Sequence, residues 1–275
     1  LSIGIRLVQP PAATAAAALR TAALAAEALG YRTLWLADDL LADGPPGPGR
    51  PPVPIDALAG AAHLAALTTR VRIGVAGLDA GAHDPAALVQ ALATIDQLSA
   101  GRLTVSLAGG ARGWAADALL DDMARNWPPE AAPDGAPPAV GPPPVQLPRP
   151  PILAAIADHL DLDLRVSDEA GSHGPGRPVD GLHVVDAVPE AAWRPVWEGL
   201  VAEAAAQGRD GDDLHLVVQV AVDPGDPAAA AGALAAALAG GATEVVLAVP
   251  RSTGLDEALA AYAEAAEAIE LRARG

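Results

Sequence analysis

The chain is 275 residues long, a length that one parallel α/β barrel fills without splitting, so a single domain over 1–275 is expected. Its formal net charge is −17 and all 17 of its basic residues are Arg; with acidic residues spread along the chain, it suits neither nucleic acid nor an anionic membrane surface. Zero Cys removes disulfides, thiolate nucleophiles and thiolate metal sites, and fits a reducing cytoplasm.

In chain order, short apolar segments alternate with longer Ala- and Leu-rich ones, the pattern of βα units around a parallel sheet. Strands are expected at Ser2–Val8, Thr33–Ala37, Arg72–Ala76, Leu103–Leu107, Ile152–Ile156, Leu182–Val185, Leu214–Val222 and Glu244–Val249. Most of these run apolar almost without interruption, as strands buried on both faces do. Between them, helices are expected at Ala12–Leu29, Ile55–Thr68, Pro85–Leu98, Ala115–Arg125, Pro189–Gln207, Pro227–Leu238 and Gly254–Arg274. Asp84 before Pro85 and Asp226 before Pro227 are N-cap signals with proline at the first helical position. The first helical stretch carries Arg20 and Glu27 and leads into a strand, so it is read as a core-facing helix and not a leader segment. No run of about 18 purely apolar residues occurs, and no membrane span is assigned.

Two stretches interrupt the alternation. Trp127 to Pro151 holds the segments WPPE and GPPPVQLPRPP and is expected to cross the surface without a helix. Asp158 to Gly181 occupies the place of the fifth helix but is too rich in Gly and Pro to form a full one, so the fifth βα unit is irregular. The expected fold class is α/β, a (β/α)8 TIM-type barrel with a Pro-rich crossing before strand five.

Three linked blocks carry a family resemblance: AEALGYRTLWLADD (Ala26–Asp39), DALAGAAHLAALTTRVRIGVAG (Asp56–Gly77) and HDPAALVQALATIDQLSAGRLTVSLAGG (His83–Gly110). QLPRPPI (Gln146–Ile152), VDGLHVV (Val179–Val185), AAQGRD (Ala205–Asp210) and GATEVVLAV (Gly241–Val249) extend it over most of the chain. In order and spacing these segments resemble the luciferase-like monooxygenase family of flavin- and deazaflavin-dependent oxidoreductases, as a divergent member. The resemblance implies a barrel whose C-terminal mouth binds FMN or the deazaflavin coenzyme F-420 and oxidises or oxygenates a small organic substrate. No metal is implied. Members of that family are commonly dimers or larger, so a homodimer is among the expected assemblies.

In such a barrel the residues just past each strand end are the functional candidates. Asp38 and Asp39 end strand two where the family commonly has Asp-His; Asp39 is the candidate acid or base, and Asp38 a cofactor contact. Ala76, Gly77 and Leu78 follow strand three, where the family often places a non-proline cis peptide against the cofactor ring. Gly109, Gly110 and Arg112 are the candidate phosphate group, glycines letting backbone N–H groups approach and Arg112 pairing with the charge. Against these stand departures from the family pattern: Ser106 and Ala108 replace glycines, Ala111 stands near the catalytic Glu of the deazaflavin-dependent sugar-phosphate dehydrogenases, and AAIADHL (Ala154–Leu160) lacks the usual phosphate donors. They leave a second reading, a degenerate barrel serving as a binding or assembly subunit. None of the six His shows metal-ligand spacing, and His183 and His215 are expected to be satisfied core or lumen residues. Trp193 and Trp197, four apart on one helix, are expected to pack.

Overall fold

The computed structural model describes residues 2–7, 14–38, 55–108, 113–127, 141–156, 179–185, 188–221, 227–250 and 253–268. The strands are β1 (Ser2–Arg6), β2 (Thr33–Ala37), β3 (Arg72–Leu78), β4 (Leu103–Ala108), β5 (Ile152–Ile156), β6 (Gly181–Val184), β7 (His215–Ala221) and β8 (Glu244–Ala248). The helices are α1 (Ala15–Leu29), α2 (Ala57–Leu67), α3 (Pro85–Leu98), α4 (Gly113–Asn126), α5 (Glu190–Ala206), α6 (Pro227–Ala239) and α7 (Leu255–Ala268). Every strand pairs in parallel with its sequence neighbour and β8 returns to β1, so the sheet is a closed eight-stranded barrel of the TIM type. Each expected strand and helix is present. The crossing at 141–151 contains neither helix nor strand, while 157–178, where the irregular fifth unit was expected, lies outside the described residues.

Local chemistry explains the elements. Asp84 caps α3 by accepting the Ala87 N–H at 2.9 Å, with Pro85 opening the helix as expected. Asp56 caps α2 in the same way, accepting the Ala59 N–H at 2.7 Å. Asp226 lies outside the described residues. Alternate strand residues face opposite sides: Ile3, Ile5, Leu34, Leu36, Ile73 and Val75 join the helices in one continuous apolar core. Inside the barrel a separate cluster forms from Trp35, Ala76, Leu153, Val217 and Val246. The dry layer between sheet and helices is what holds the barrel closed; the lumen is left for other chemistry. Trp193 is buried in the outer core and Trp197 packs against it, as expected for this pair.

Candidate functional site

From floor to mouth, the lumen changes character. Its floor is polar. Glu244 at the start of β8 accepts hydrogen bonds from Trp35 Nε1 (2.9 Å), Thr33 Oγ1 (3.1 Å) and Ser2 Oγ (3.4 Å). Arg72 donates to Thr104 Oγ1 at 2.7 Å and to Gln146 Oε1 at 3.3 Å. Burial pushes the Glu244 carboxyl up from its ordinary range against the opposing pull of these donors and of the Arg72 charge.

The next layer is a plug. The Trp35 indole lies over Gly74, where any Cβ would run into the ring, so only glycine admits the indole at that point of β3. Trp35 and His183 approach with ring centroids 4.3 Å apart at a tilted 46°. His183 is fully buried; its Nδ1 lies 2.9 Å from Ser106 Oγ, and Ser106 Oγ accepts the Gly77 N–H at 3.0 Å. Burial, with the nearby Arg6 charge adding to it, pushes the His183 imidazole down to about 3, so it is neutral at physiological pH. Among the described residues Nε2 has no hydrogen-bond partner. An unpaired buried polar group of this kind costs about 1–3 kcal/mol. The expectation that His183 is a satisfied lumen residue is thus half right: one ring nitrogen is partnered and the other is not. His215, expected to be its counterpart, shares the lumen-facing parity of Val217 but is exposed, because it is the first residue of β7 and stands at the open floor of the barrel.

Above the plug the lining is small. Ala37, Ala76, Ala108, Ala155 and Ala248 stand at successive strand ends, together with Val185 and Arg6. Asp38 begins the loop after β2; its N–H bonds to the Ala76 carbonyl at 2.8 Å, and its carboxylate accepts the Asp79 N–H at 3.4 Å. Asp38 therefore ties the loop after β2 to the loop after β3. Ala76 and Leu78 are buried, and Gly77 between them takes φ +67 with nothing within 4 Å of where a Cβ would stand. A break in the β3–β4 register between Val75 and Leu78 turns the Gly77 N–H toward Ser106. The bonds at this loop are trans, since the cis peptide among the described residues is Leu147–Pro148. The expected non-proline cis peptide is absent because a left-handed glycine at a bulge makes the turn instead. Asp39, Gly109, Gly110 and Arg112 lie outside the described residues. The structure thus brings Asp38, Ala76 and Gly77 together at one side of the mouth, while the Leu78 side chain is buried in the core between sheet and helices.

Sequence reasoning passed over Trp35, Ser106, His183 and Arg6 as site residues. A signal for them existed: polar residues interrupt otherwise apolar strands at every second position, as in SIGIR, LTVSLA, GLHV and HLVVQVA, and those positions face the lumen. Among the described residues no group of three or more His, Cys, Asp or Glu side chains converges as a metal site would require. No helix among them is long and apolar enough to cross a membrane.

The segments that carried the resemblance mostly sit at the opposite, N-terminal face. Asp96 accepts the N–H groups of Val145 (2.7 Å) and Gln146 (2.9 Å) and the Gln146 side chain (2.8 Å). Asp180, before β6, pairs with Arg149 and with Arg209 (3.2 Å), and accepts the Ile152 N–H at 2.9 Å. Arg102 donates to Thr68 Oγ1 and to the carbonyls of Ala65, Thr68, Val71 and Ser99, clasping the end of α2. The carboxylate of Glu27 accepts the N–H groups of Thr69, Arg70 and Val71. Burial alone would raise that carboxyl, but these three bonds and the Arg70 charge together hold it below its ordinary value.

The profile of the luciferase-like monooxygenase family matches residues 4–127. No curated protein matches the chain by sequence. Among solved structures, monooxygenase RslO1 from Streptomyces bottropensis is similar at 18% identity and TM-score 0.67, over 97% of this chain and 98% of that one. The coenzyme F-420-dependent tetrahydromethanopterin reductase from Methanopyrus kandleri is similar at 11% identity and TM-score 0.64, over 96% and 97%. A riboflavin lyase, solved with modified FMN and riboflavin, is similar at 17% identity and TM-score 0.57 over 80% of this chain, which spans 62% of that protein's length. At these identities the likeness to solved structures carries the fold alone. The family profile thus matches the chain from β1 through α4, and the closed barrel continues the same architecture through the remaining strands.

Proposed function

We propose that the protein is a flavin- or deazaflavin-dependent oxidoreductase that binds FMN or coenzyme F-420 at the C-terminal mouth of the barrel and acts on a small organic substrate. The observation that carries this reading is the construction of the mouth: small side chains at the strand ends, above a Trp35–His183 plug, beside a left-handed Gly77 whose Cβ position is open. A planar ring needs such an apolar slot and a close backbone approach. In this reading Ala76 and Gly77 support one face of the ring, and Asp38 holds their loop in place. Gly109, Gly110 and Arg112 receive the phosphate, and Asp39 is the acid or base. The bound cofactor would supply hydride transfer or oxygen activation; the protein's part is to orient the ring and keep water from it. The match of residues 4–127 to the family profile supports the class of reaction, and neighbours of the same fold include proteins described with FMN and with F-420.

Calorimetric titration with FMN and separately with F-420 tests the proposal. Saturable binding at micromolar concentration to one of them is expected. No binding of either at hundreds of micromolar would overturn the proposal and favour the degenerate-barrel reading, which the replacements at Asp39, Ser106 and Ala108 would then explain.

A further inference from the structure

Three buried side-chain nitrogens among the described residues have no hydrogen-bond partner, on His83, Trp127 and His183, and of these only His183 stands on a barrel strand. Its partners fix which nitrogen carries the proton. Ser106 Oγ already accepts the Gly77 N–H, which leaves the hydroxyl proton to donate to His183 Nδ1. The neutral ring then bears its proton on Nε2. In the opposite tautomer Nδ1–H would donate to Ser106 Oγ, the hydroxyl proton would lack this acceptor, and Nε2 would be a bare lone pair. Nε2 is among the ring atoms farthest from Cβ, in a residue whose strand position faces the lumen, with the Trp35 ring beside it at a centroid distance of 4.3 Å. Arg6, on β1, adds positive charge to the same space.

We propose that His183 Nε2–H, set by the Gly77–Ser106–His183 chain, is a recognition point at the base of the mouth for a carbonyl or enolate oxygen on the ring of the bound flavin or deazaflavin. This rests on the cofactor site proposed above. A donor aimed at an oxygen with the Arg6 charge nearby favours an acceptor that carries partial or full negative charge. The chain of hydrogen bonds also couples the two sides of the site: Gly77 belongs to the loop that supports the ring, and its N–H orients the serine that orients the imidazole. Ser106 is thus a positioning residue, and His183 the group that touches the ligand. A glycine at position 106 would leave Nδ1 without this partner.

The test titrates wild type, His183→Leu, His183→Gln and Ser106→Ala with FMN and with F-420, and records the unfolding midpoint of each. His183→Leu is expected to weaken binding by tenfold or more while its unfolding midpoint stays level or rises, because it removes an unpaired buried polar group. His183→Gln, whose amide N–H can take the place of Nε2–H, is expected to recover part of that loss. Ser106→Ala is expected to weaken binding by several-fold, and in 15N-histidine spectra to shift the His183 ring away from the Nε2–H form that wild type shows. Binding by His183→Leu within twofold of wild type would overturn the inference and leave the cofactor site standing. An Nδ1–H form in wild type would overturn it as well. If wild type binds neither cofactor, the cofactor site itself is wrong and the inference falls with it.

Discussion

The two ends of the barrel are built on opposite plans. At the N-terminal face, charged and amide side chains from segments distant in sequence tie the strand entrances together: Asp96 to Gln146, Asp180 to Arg149 and Arg209, Arg102 to the end of α2, Glu27 to the turn before β3. At the mouth the described residues are mostly small, and His183 keeps one nitrogen unpaired. The ATIDQLSAGR, QLPRPPI, DG and GRD segments by which the chain resembles the luciferase-like monooxygenases supply the first set. Barrel closure demands those contacts whatever the chemistry, whereas the mouth is free to differ. A strong family likeness in this chain therefore reports on how the barrel shuts more than on what it binds.

That division is broken most directly at Asp180. Asp180→Ala removes the carboxylate shared by Arg149 and Arg209 and the acceptor for the Ile152 N–H. A loss of about 3 kcal/mol is expected, at the low end for breaking a buried ion pair because these side chains keep some contact with water. Urea unfolding at neutral pH measures it, and FMN or F-420 affinity of the folded variant should match wild type. A stable variant with damaged binding would mean that the two ends are not separable.

Gly77→Ala should show the reverse. A left-handed φ of +67 costs an alanine roughly 1–2 kcal/mol, and the added methyl has open space around it, so the fold should survive. The same methyl would project where the ring is proposed to lie, and the strain disturbs the N–H that holds Ser106. Cofactor affinity is expected to fall about fivefold or more, read by calorimetry on protein whose unfolding midpoint has moved only slightly. Unchanged affinity with the modest stability loss would place the ring elsewhere.

Much of this fold is legible in the sequence. Strands buried on both faces read as unbroken apolar runs, and β2, β5 and α3 have the ends their residues imply. The site is legible only in part. Asp38, Ala76 and Gly77 could be placed at the mouth because they follow strand ends, a local property. The Ser106–His183 pair could not, since its members lie 77 residues apart and meet only through the register of three strands. Nor could the Gly77 bond to Ser106, which depends on a bulge that the run RIGVAGL does not announce. His183 looked like filler for a buried strand for the same reason: its neighbours along the chain are apolar, and its partner is on another strand.

Glu244 joins the two ends, because it takes donors from Ser2 and Thr33 at the floor and from Trp35 in the plug above. Its carboxyl is raised in the folded protein, chiefly by burial. As pH rises past the ordinary carboxylate value, the unfolded chain gives up this proton while the folded chain keeps it. Stability from this group is therefore full below that value and is lost as pH climbs to the raised folded value, beyond which it is level. Glu244→Gln keeps an acceptor for Trp35 but has no proton to lose, so the difference in unfolding free energy between variant and wild type should grow in the variant's favour across that window and then flatten. Urea unfolding at half-unit steps from pH 4 to 7 measures the curve. Its slope should be the smallest of these three effects, because Arg72 and the three donors already offset part of the cost of the charge. A flat difference curve would mean that the donors offset burial completely, and that the floor of this barrel carries its charge as easily as water would.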